Sequence, residues 1–492
     1  MRFKQLAELL INNNMTHQTP YIPGNFHEFV HISCDSRDII ANTLFFAKGI
    51  NFKREYLLEA IQKGVTAYIG ELDLEVSIPL IKVKNVRLTM PLIARFFYDN
   101  PAGKYKLTGI TGTKGKTTCA YMLKNIQALA YGQDEVGMIS TNEALSGKRE
   151  IKKSGTTPEA LELYNILNTF AQDGVKAAVM EVSSQGLQYN RVEYIDFFIG
   201  IFLNLSPDHI SPTEHKDFNE YKRAKMRMLT LCKNGIVNID DENSSDIIKA
   251  ATCPNLYTIG INKDADFKAK NIILSKNGVS FEVFGKYINR EIFELTIPGE
   301  FNIYNALAAI VAAWLLEIDI QTIKAGLVGT TIKGRMEILE QDGKTIIVDY
   351  AHNALSFNAV FDYVNNFYPE SDTVCVFGCQ GNKALGRRKE LPEIAGKRAS
   401  LVVLTSDDPA NEDPEAIMEE IEVTLRKTEV KYIKITDRER AVKYAVSEAK
   451  TGDVVILAGK GHETTQQVRG NALSYKGDML CAKEALNEII NK

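Results

Sequence analysis

Leu107-Thr108-Gly109-Ile110-Thr111-Gly112-Thr113-Lys114-Gly115-Lys116-Thr117-Thr118 reads as a β-strand that runs into a Gly-rich loop and opens a helix. Glycines in such a turn let backbone N–H groups converge on phosphate oxygens. Lys116 can then reach the β- and γ-phosphates, and the Thr117 hydroxyl can hold Mg²⁺. Gly112, Thr113, Lys114, Gly115, Lys116, Thr117 and Thr118 are therefore expected to cradle ATP. The general phosphate-loop pattern carries a Gly five residues before Gly115, and Ile110 stands there. This is a variant loop whose useful glycine is Gly112.

On either side of the loop the chain changes character. The first hundred residues hold short strand-like and helical pieces that end at the turn-rich Asp99-Asn100-Pro101-Ala102-Gly103. Downstream, a helix from about Lys116 to Ala130 and strands at Ala177 to Val182 and Phe197 to Leu203 give the rhythm of a parallel, doubly wound sheet. Pro298-Gly299-Glu300-Phe301-Asn302 leads into a strongly apolar helix, Ile303 to Leu316, that should pack on that sheet. After Gly334 the pattern restarts. Ile346 to Tyr350, Thr373 to Phe377, Leu401 to Leu404 and Val454 to Leu457 are apolar β-type runs separated by helical stretches. The expected architecture is α/β in three domains: 1–104, a central P-loop parallel-sheet ATPase domain at 105–332, and a C-terminal Rossmann-like open α/β domain at 333–492. A chain of 492 residues has room for them at about 150 residues each.

Hydrophobic content of 45%, charged content of 24% and a net charge of −4 give no sign of a nucleic-acid surface. Seven cysteines, odd in number and without paired zinc spacing, fit a reducing compartment. Met1-Arg2-Phe3-Lys4-Gln5 opens no apolar signal core, and Phe197 to Leu203 is too short to span a bilayer. A cytoplasmic monomer with no nucleic-acid or membrane partner is expected.

Glu181 follows the apolar run Ala177-Ala178-Val179-Met180, so its carboxylate falls near the C-terminal end of a strand, where open α/β sheets bind ligands. With Thr117 it could complete a Mg²⁺ site, because that ion takes oxygen ligands and shares them with phosphates. His209, in Asn204-Leu205-Ser206-Pro207-Asp208-His209, again follows a strand and is placed to face the phosphates; His215 reads as a loop residue. Lys225 lies among other cations in Glu220-Tyr221-Lys222-Arg223-Ala224-Lys225-Met226, and composition alone assigns it to a solvated helix face. Arg335 stands where the last domain begins, and its planar fork suits a γ-phosphate. Asp349 closes the first strand of that domain and can accept a ribose hydroxyl. Loops at Gly378 to Lys383, Asp407 to Ala410 and Gly459 to Glu463 each end a strand on one edge, and could line a polar pocket for a charged amino acid. No Ser/His/Asp or Cys/His arrangement for a side-chain nucleophile is found.

Thr111 to Thr118, Glu181-Val182-Ser183-Ser184, Asn204 with Asp208-His209, Ala224-Lys225, Gly334-Arg335-Met336-Glu337, Asp349-Tyr350-Ala351-His352 and Gly459-Lys460-Gly461-His462-Glu463 occur in that order. Over essentially its whole length the chain thereby resembles the Mur ligases, the ATP-dependent amide ligases of peptidoglycan assembly, and among them the branch that adds the third peptide residue. The resemblance implies an N-terminal domain for the UDP end of UDP-MurNAc-L-Ala-D-Glu, with Ser36 of Asp35-Ser36-Arg37 at the uridine and Gly49 to Phe52 beside it. It implies muramoyl-peptide contacts at Thr156, Thr157, Ser183 and Arg191, and adds Asn302, Arg335 and Asp349 to the ATP set. Lys225 matches a lysine that is carbamylated in the family, a change that turns a cation into an oxygen-ligand anion. That carbamate could help His209 and Glu181 hold a second Mg²⁺, beside the one at Thr117 and Glu181. The implied amino-acid contacts are Lys383, Asp407, Asp408, Gly459 and Glu463. The implied catalytic set is Lys116, Glu181, His209, Lys225 and Arg335, acting as a carboxylate takes the γ-phosphate and an amine attacks the resulting acyl phosphate.

Some residues depart from the family pattern. Relatives that use meso-diaminopimelate carry Asp-Asn-Pro-Arg, whose Arg grips the far carboxylate; here Asp407-Asp408-Pro409-Ala410 stands instead. The clamp is lost and Asp408 adds an anion suited to an ammonium, so L-lysine is the expected diamino acid. Ornithine meets the same logic, and diaminopimelate is the alternative. Lys383 replaces an Arg, Tyr189 replaces a Gln beside the muramoyl peptide, and Asp208-His209-Ile210-Ser211-Pro212 replaces Asp-His-Leu-Asp. A folylpolyglutamate synthetase-like ligase would share the loop but lack Asp35-Ser36-Arg37 in a separate domain.

Overall fold

The strand that carries the loop, Lys106–Thr111, is buried from Leu107 to Thr111 and sits inside an eleven-stranded sheet. A strand covered on both faces needs apolar and β-branched residues in succession, which Leu107, Thr108, Ile110 and Thr111 supply. Ala177–Glu181 pairs with it in parallel on one side and Phe197–Phe202 on the other. Val136–Ile139 lies beyond Ala177–Glu181, so the chain passes over Lys106–Thr111 to lay down Phe197–Phe202. That reversal opens a crevice at the carboxyl ends of the three strands. The computed structural model describes residues 1–16, 28–49, 52–211, 214–285 and 288–490. Ile50 and Asn51 of the expected uridine-side loop, and Pro212, lie outside them.

Helix Lys116–Tyr131 leaves the loop and packs against Phe301–Leu315, which is buried at Asn302, Ile303 and from Asn305 to Ala313. A smaller parallel sheet precedes them: His31–Ser33, Thr43–Phe46, Val65–Gly70 and Leu80–Lys82 are neighbours in chain order. A third sheet runs Lys344–Asp349, Val454–Ala458, Thr373–Phe377, Leu401–Leu404, Lys431–Lys434 in parallel, with Glu337–Gln341 antiparallel at its edge. The loops expected to line a polar pocket therefore leave one edge of this sheet. A hairpin, Thr465–Val468 and Asn471–Ser474, holds one of them: Ala410 N donates to Gln467 O (2.9 Å) and Gln466 Nε2 to Asp407 O (2.9 Å). Among the described residues no helix is long and apolar enough to cross a membrane.

Candidate active site

A cavity of about 350 Å³ opens at the crevice, lined by Thr113 to Thr118 together with Thr156, Thr157, Glu181, Ser183, Arg191, His209, Lys225, Arg335 and Lys383. Most of the expected ATP, metal and muramoyl-peptide residues thus share one space. Gly115 turns the loop into the helix with φ +85°, and a Cβ there would stand 2.1 Å from Asn305 Oδ1. Only glycine admits both that turn and that approach. Asn305 Nδ2 donates to Asn302 Oδ1 (3.0 Å) and Asn302 Nδ2 to Pro298 O (2.7 Å), so Asn302 is buried behind the loop and reaches it through Asn305. Asn204 grips the loop from the other side: its Oδ1 accepts from Lys114 N (2.9 Å) and its Nδ2 donates to Lys114 O (3.0 Å).

Glu181 is buried at the end of its strand. Its Oε1 accepts from Thr117 Oγ1 (2.8 Å) and Thr141 N (2.8 Å), and its Oε2 from Thr141 Oγ1 (3.1 Å). A carboxylate with adjoining hydroxyls beside a phosphate loop is the oxygen donor set that suits Mg²⁺. Thr141 was not anticipated, although it follows the apolar run Val136-Gly137-Met138-Ile139 on the same edge. His209 lines the cavity with its Nδ1 2.7 Å from Glu214 Oε1, which leaves Nε2 for a further partner. His215 is more than the loop residue expected: it is wholly buried, with Nε2 2.9 Å from Ser184 Oγ and its ring edge-on to Tyr221.

Lys225 corrects its reading as part of a solvated face. Helix Phe218–Met226 turns Tyr221, Ala224 and Lys225 inward, and Lys225 Nζ donates to Gly112 O (2.8 Å). Lys116 Nζ donates to the same carbonyl (2.9 Å), so two amines converge on the loop. Burial, reinforced by the charge of Lys116, pushes Lys225 well below the usual lysine range. An ammonium has no lone pair for a metal; a neutral amine can react.

A second network joins the phosphate loop to the third sheet. Asp208 Oδ1 pairs with Arg387 Nη2 (2.5 Å), and its Oδ2 accepts from Asn353 Nδ2 (3.0 Å). Burial alone would raise this carboxyl, but Lys114 and Arg387 outweigh it and hold Asp208 below the usual carboxylate range. His352 Nδ1 lies 2.7 Å from Tyr350 O, and a carbonyl only accepts, so Nδ1 carries the hydrogen. Nε2 then accepts from Lys114 Nζ at 2.9 Å. Burial, with Arg387 and Lys116 nearby, lowers Lys114 to about 7. Arg335 stands 4.6 Å from the Tyr350 ring, and its buried Nε has no hydrogen-bond partner. Asp349 does not line the cavity: its Oδ2 accepts from Met336 N (2.8 Å), which fastens the junction that carries Arg335.

Asp407, Asp408, Gly459 and Glu463 gather outside the cavity around the buried Lys460. Its Nζ lies 2.7 Å from Asp408 Oδ1, 2.6 Å from Glu463 Oε2 and 3.8 Å from Asp407 Oδ1. Asp408 is therefore not the free anion expected, since Lys460 and Gln467 N (2.9 Å) already hold it. Three carboxylates still outnumber one ammonium. Asp407 Oδ1 is buried without a hydrogen-bond partner, and burial raises this carboxyl to about 6 against the pull of Lys460. Tyr350 OH donates to Glu463 Oε1 (3.1 Å) and ties the cluster to the cavity wall. Ser36 lies apart, in the turn after His31–Ser33 of the N-terminal sheet, where its hydroxyl donates to Glu59 (2.9 Å).

Comparison with known proteins gives this arrangement its context. The Mur ligase middle domain matches residues 110–313, and the Mur ligase glutamate ligase domain matches residues 334–461. The UDP-N-acetylmuramoyl-L-alanyl-D-glutamate--L-lysine ligase of Streptococcus mutans is 39% identical over 93% of this chain and 92% of its own. The UDP-N-acetylmuramoyl-L-alanyl-D-glutamate--2,6-diaminopimelate ligase of Clostridioides difficile is 37% identical over 94% and 95%. A solved UDP-N-acetylmuramoyl-L-alanyl-D-glutamate--2,6-diaminopimelate ligase superposes with a TM-score of 0.68 at 25% identity over all of both chains. The chain belongs to the Mur ligase family, the ATP-dependent ligases that form a C–N bond in peptidoglycan assembly.

Proposed function

We propose that the chain joins L-lysine to the D-Glu carboxylate of UDP-MurNAc-L-Ala-D-Glu, with residues 1–104 holding the UDP end, 105–332 the ATP and 333–492 the amino acid. It would work as a cytoplasmic monomer. The relatives are divided between lysine and diaminopimelate at nearly equal identity, so overall likeness does not choose the amine. The observation that carries the choice is the cluster of Asp407, Asp408 and Glu463 around Lys460, with Ala410 beside it. Its excess negative charge, with one buried carboxylate oxygen lacking a donor, suits the side-chain ammonium of lysine. Ala410 offers no cation for the second carboxylate of diaminopimelate.

In this reading the loop N–H groups and Lys116 hold the ATP phosphates, and Arg335 meets the charge that builds as the substrate carboxylate oxygen takes the γ-phosphoryl group. Arg191, Thr157 and Ser183 hold the muramoyl peptide so that the carboxylate faces that phosphate. The incoming amine then attacks the acyl phosphate, and phosphate leaves with the bridging oxygen. Thr117, Glu181, His209 and a Lys225 carbamate would hold Mg²⁺, which would supply neutralisation of phosphate charge. The carbamate is what the family resemblance implies for Lys225, and its burial and lowered basicity agree with it: a neutral amine can add CO₂ and lose a proton, leaving an anion.

Phosphate release with UDP-MurNAc-L-Ala-D-Glu and each of L-lysine, L-ornithine and meso-diaminopimelate tests the proposal. L-lysine should give the highest kcat/KM, and a preference for diaminopimelate would overturn the reading of Ala410. A pH dependence should accompany it. Asp407 is charged above about 6 and neutral below, so loss of its charge weakens the hold on an ammonium. KM for L-lysine is expected to rise between pH 7.5 and 5.5 in the wild type and to stay flat in Asp407→Asn. Parallel profiles in the two proteins would remove Asp407 from the amine site.

A further inference from the structure

Arg191 reaches the cavity, but much of what fixes its position lies outside. Its Nη1 donates to Thr157 O (2.9 Å) and its Nη2 lies 2.6 Å from Glu159 Oε1. Glu159 stands at the capping position of helix Ala160–Asp173, yet its side chain makes no cap bond. The other carboxylate oxygen instead takes the Lys48 ammonium, which arrives from the loop after Thr43–Phe46 of the N-terminal sheet. Burial would raise Glu159, but Lys48 and Arg191 hold it below the usual carboxylate range, so it stays charged between them. Tyr189 completes the arrangement. Its ring centre lies 5.9 Å from the Arg191 guanidinium and 4.6 Å from that of Arg87, on helix Val86–Phe97 of the N-terminal part.

We propose that Tyr189 and Glu159 are positioning residues that brace Arg191 at the muramoyl-peptide wall and tie that wall to the N-terminal sheet through Arg87 and Lys48. A ring face attracts guanidinium groups, and a carboxylate shared by two cations holds both. Two links from the same wall to the first hundred residues set one spacing between the uridine end and the reacting carboxylate. A long substrate held at both ends binds well only where that spacing is preset. Tyr189 stands where many relatives place Gln, which has no ring face to offer the two guanidinium groups. The inference rests on the proposed UDP-linked substrate.

Calorimetric binding of UDP-MurNAc-L-Ala-D-Glu, followed by steady-state kinetics, tests the brace. Tyr189→Leu and Glu159→Gln should each weaken Kd and raise KM for this substrate about tenfold, with kcat and the KM for ATP within about twofold of wild type. Tyr189→Phe keeps the ring and should restore wild-type KM. Unchanged Kd in Tyr189→Leu and Glu159→Gln, equal losses in Tyr189→Phe and Tyr189→Leu, or a loss confined to kcat would overturn the brace alone. Wild-type protein that binds no UDP-MurNAc-L-Ala-D-Glu would overturn the brace together with the functional reading.

Discussion

Lys225→Ala should lower kcat by about two to three orders of magnitude, roughly 3–4 kcal/mol in the transition state, and recover part of it in added acetate or formate. The magnitude follows from position. Lys225 is wholly buried, bonds the Gly112 carbonyl that also receives Lys116, and lines the same cavity as Thr117 and Glu181. As an ammonium it would crowd a second cation against the ATP phosphates without offering an oxygen to a metal. As a carbamate it would supply the anion, and a small carboxylate could occupy the space left by the truncated side chain. Rates measured against acetate concentration should rise and saturate for Lys225→Ala and stay level for the wild type. Unimpaired turnover, or a loss that no carboxylate relieves, would remove the carbamate from the mechanism.

Glu181→Gln should cost a similar two to three orders of magnitude and raise the Mg²⁺ concentration needed for half-maximal rate. Glutamine is close in shape, and its carbonyl oxygen can still accept from Thr117 Oγ1 and Thr141 N. The strand end should therefore hold its place while the negative charge is lost. Thermal unfolding measured beside the kinetics separates the two effects. A wild-type Mg²⁺ response in this variant would move the metal away from Glu181.

The parallel strands were legible because both of their faces are covered. Such strands must be apolar along their length, as Ala177-Ala178-Val179-Met180 and Phe197 to Leu203 are. Their polar ends were legible for the same reason, since Glu181, His209 and Asp407 interrupt or follow runs that contain no other charge. What could not be read was pairing across the molecule. Composition puts Lys225 on a solvated helix face while the resemblance puts it at the metal; in the structure it turns inward beside Tyr221, which packs against His215 and lies 3.1 Å from Thr113 Oγ1. Lys460 neutralises part of the charge assigned to Asp408 from a loop more than fifty residues later. Arg387 on Asp208, like Thr141 on Glu181, is set by the register of neighbouring strands and by the approach of one sheet to another. Asn302 and Asp349 were expected at ATP from motifs alone, and the structure adds what the motifs do not give: Asn302 is bonded to Pro298 O and Asn305, and Asp349 to Met336 N.

Transfer of ¹⁸O from the D-Glu side-chain carboxylate of UDP-MurNAc-L-Ala-D-Glu to inorganic phosphate tests the carboxylate-activating role of the cavity most directly. With both carboxylate oxygens labelled and ATP, Mg²⁺ and L-lysine present, an acyl phosphate leaves one labelled oxygen in each phosphate released and one in the new amide. One ¹⁸O in phosphate for each lysine joined is expected by mass spectrometry. Phosphate released without ¹⁸O would show that ATP is cleaved by water, and would contradict activation of the carboxylate at Lys116 and Arg335.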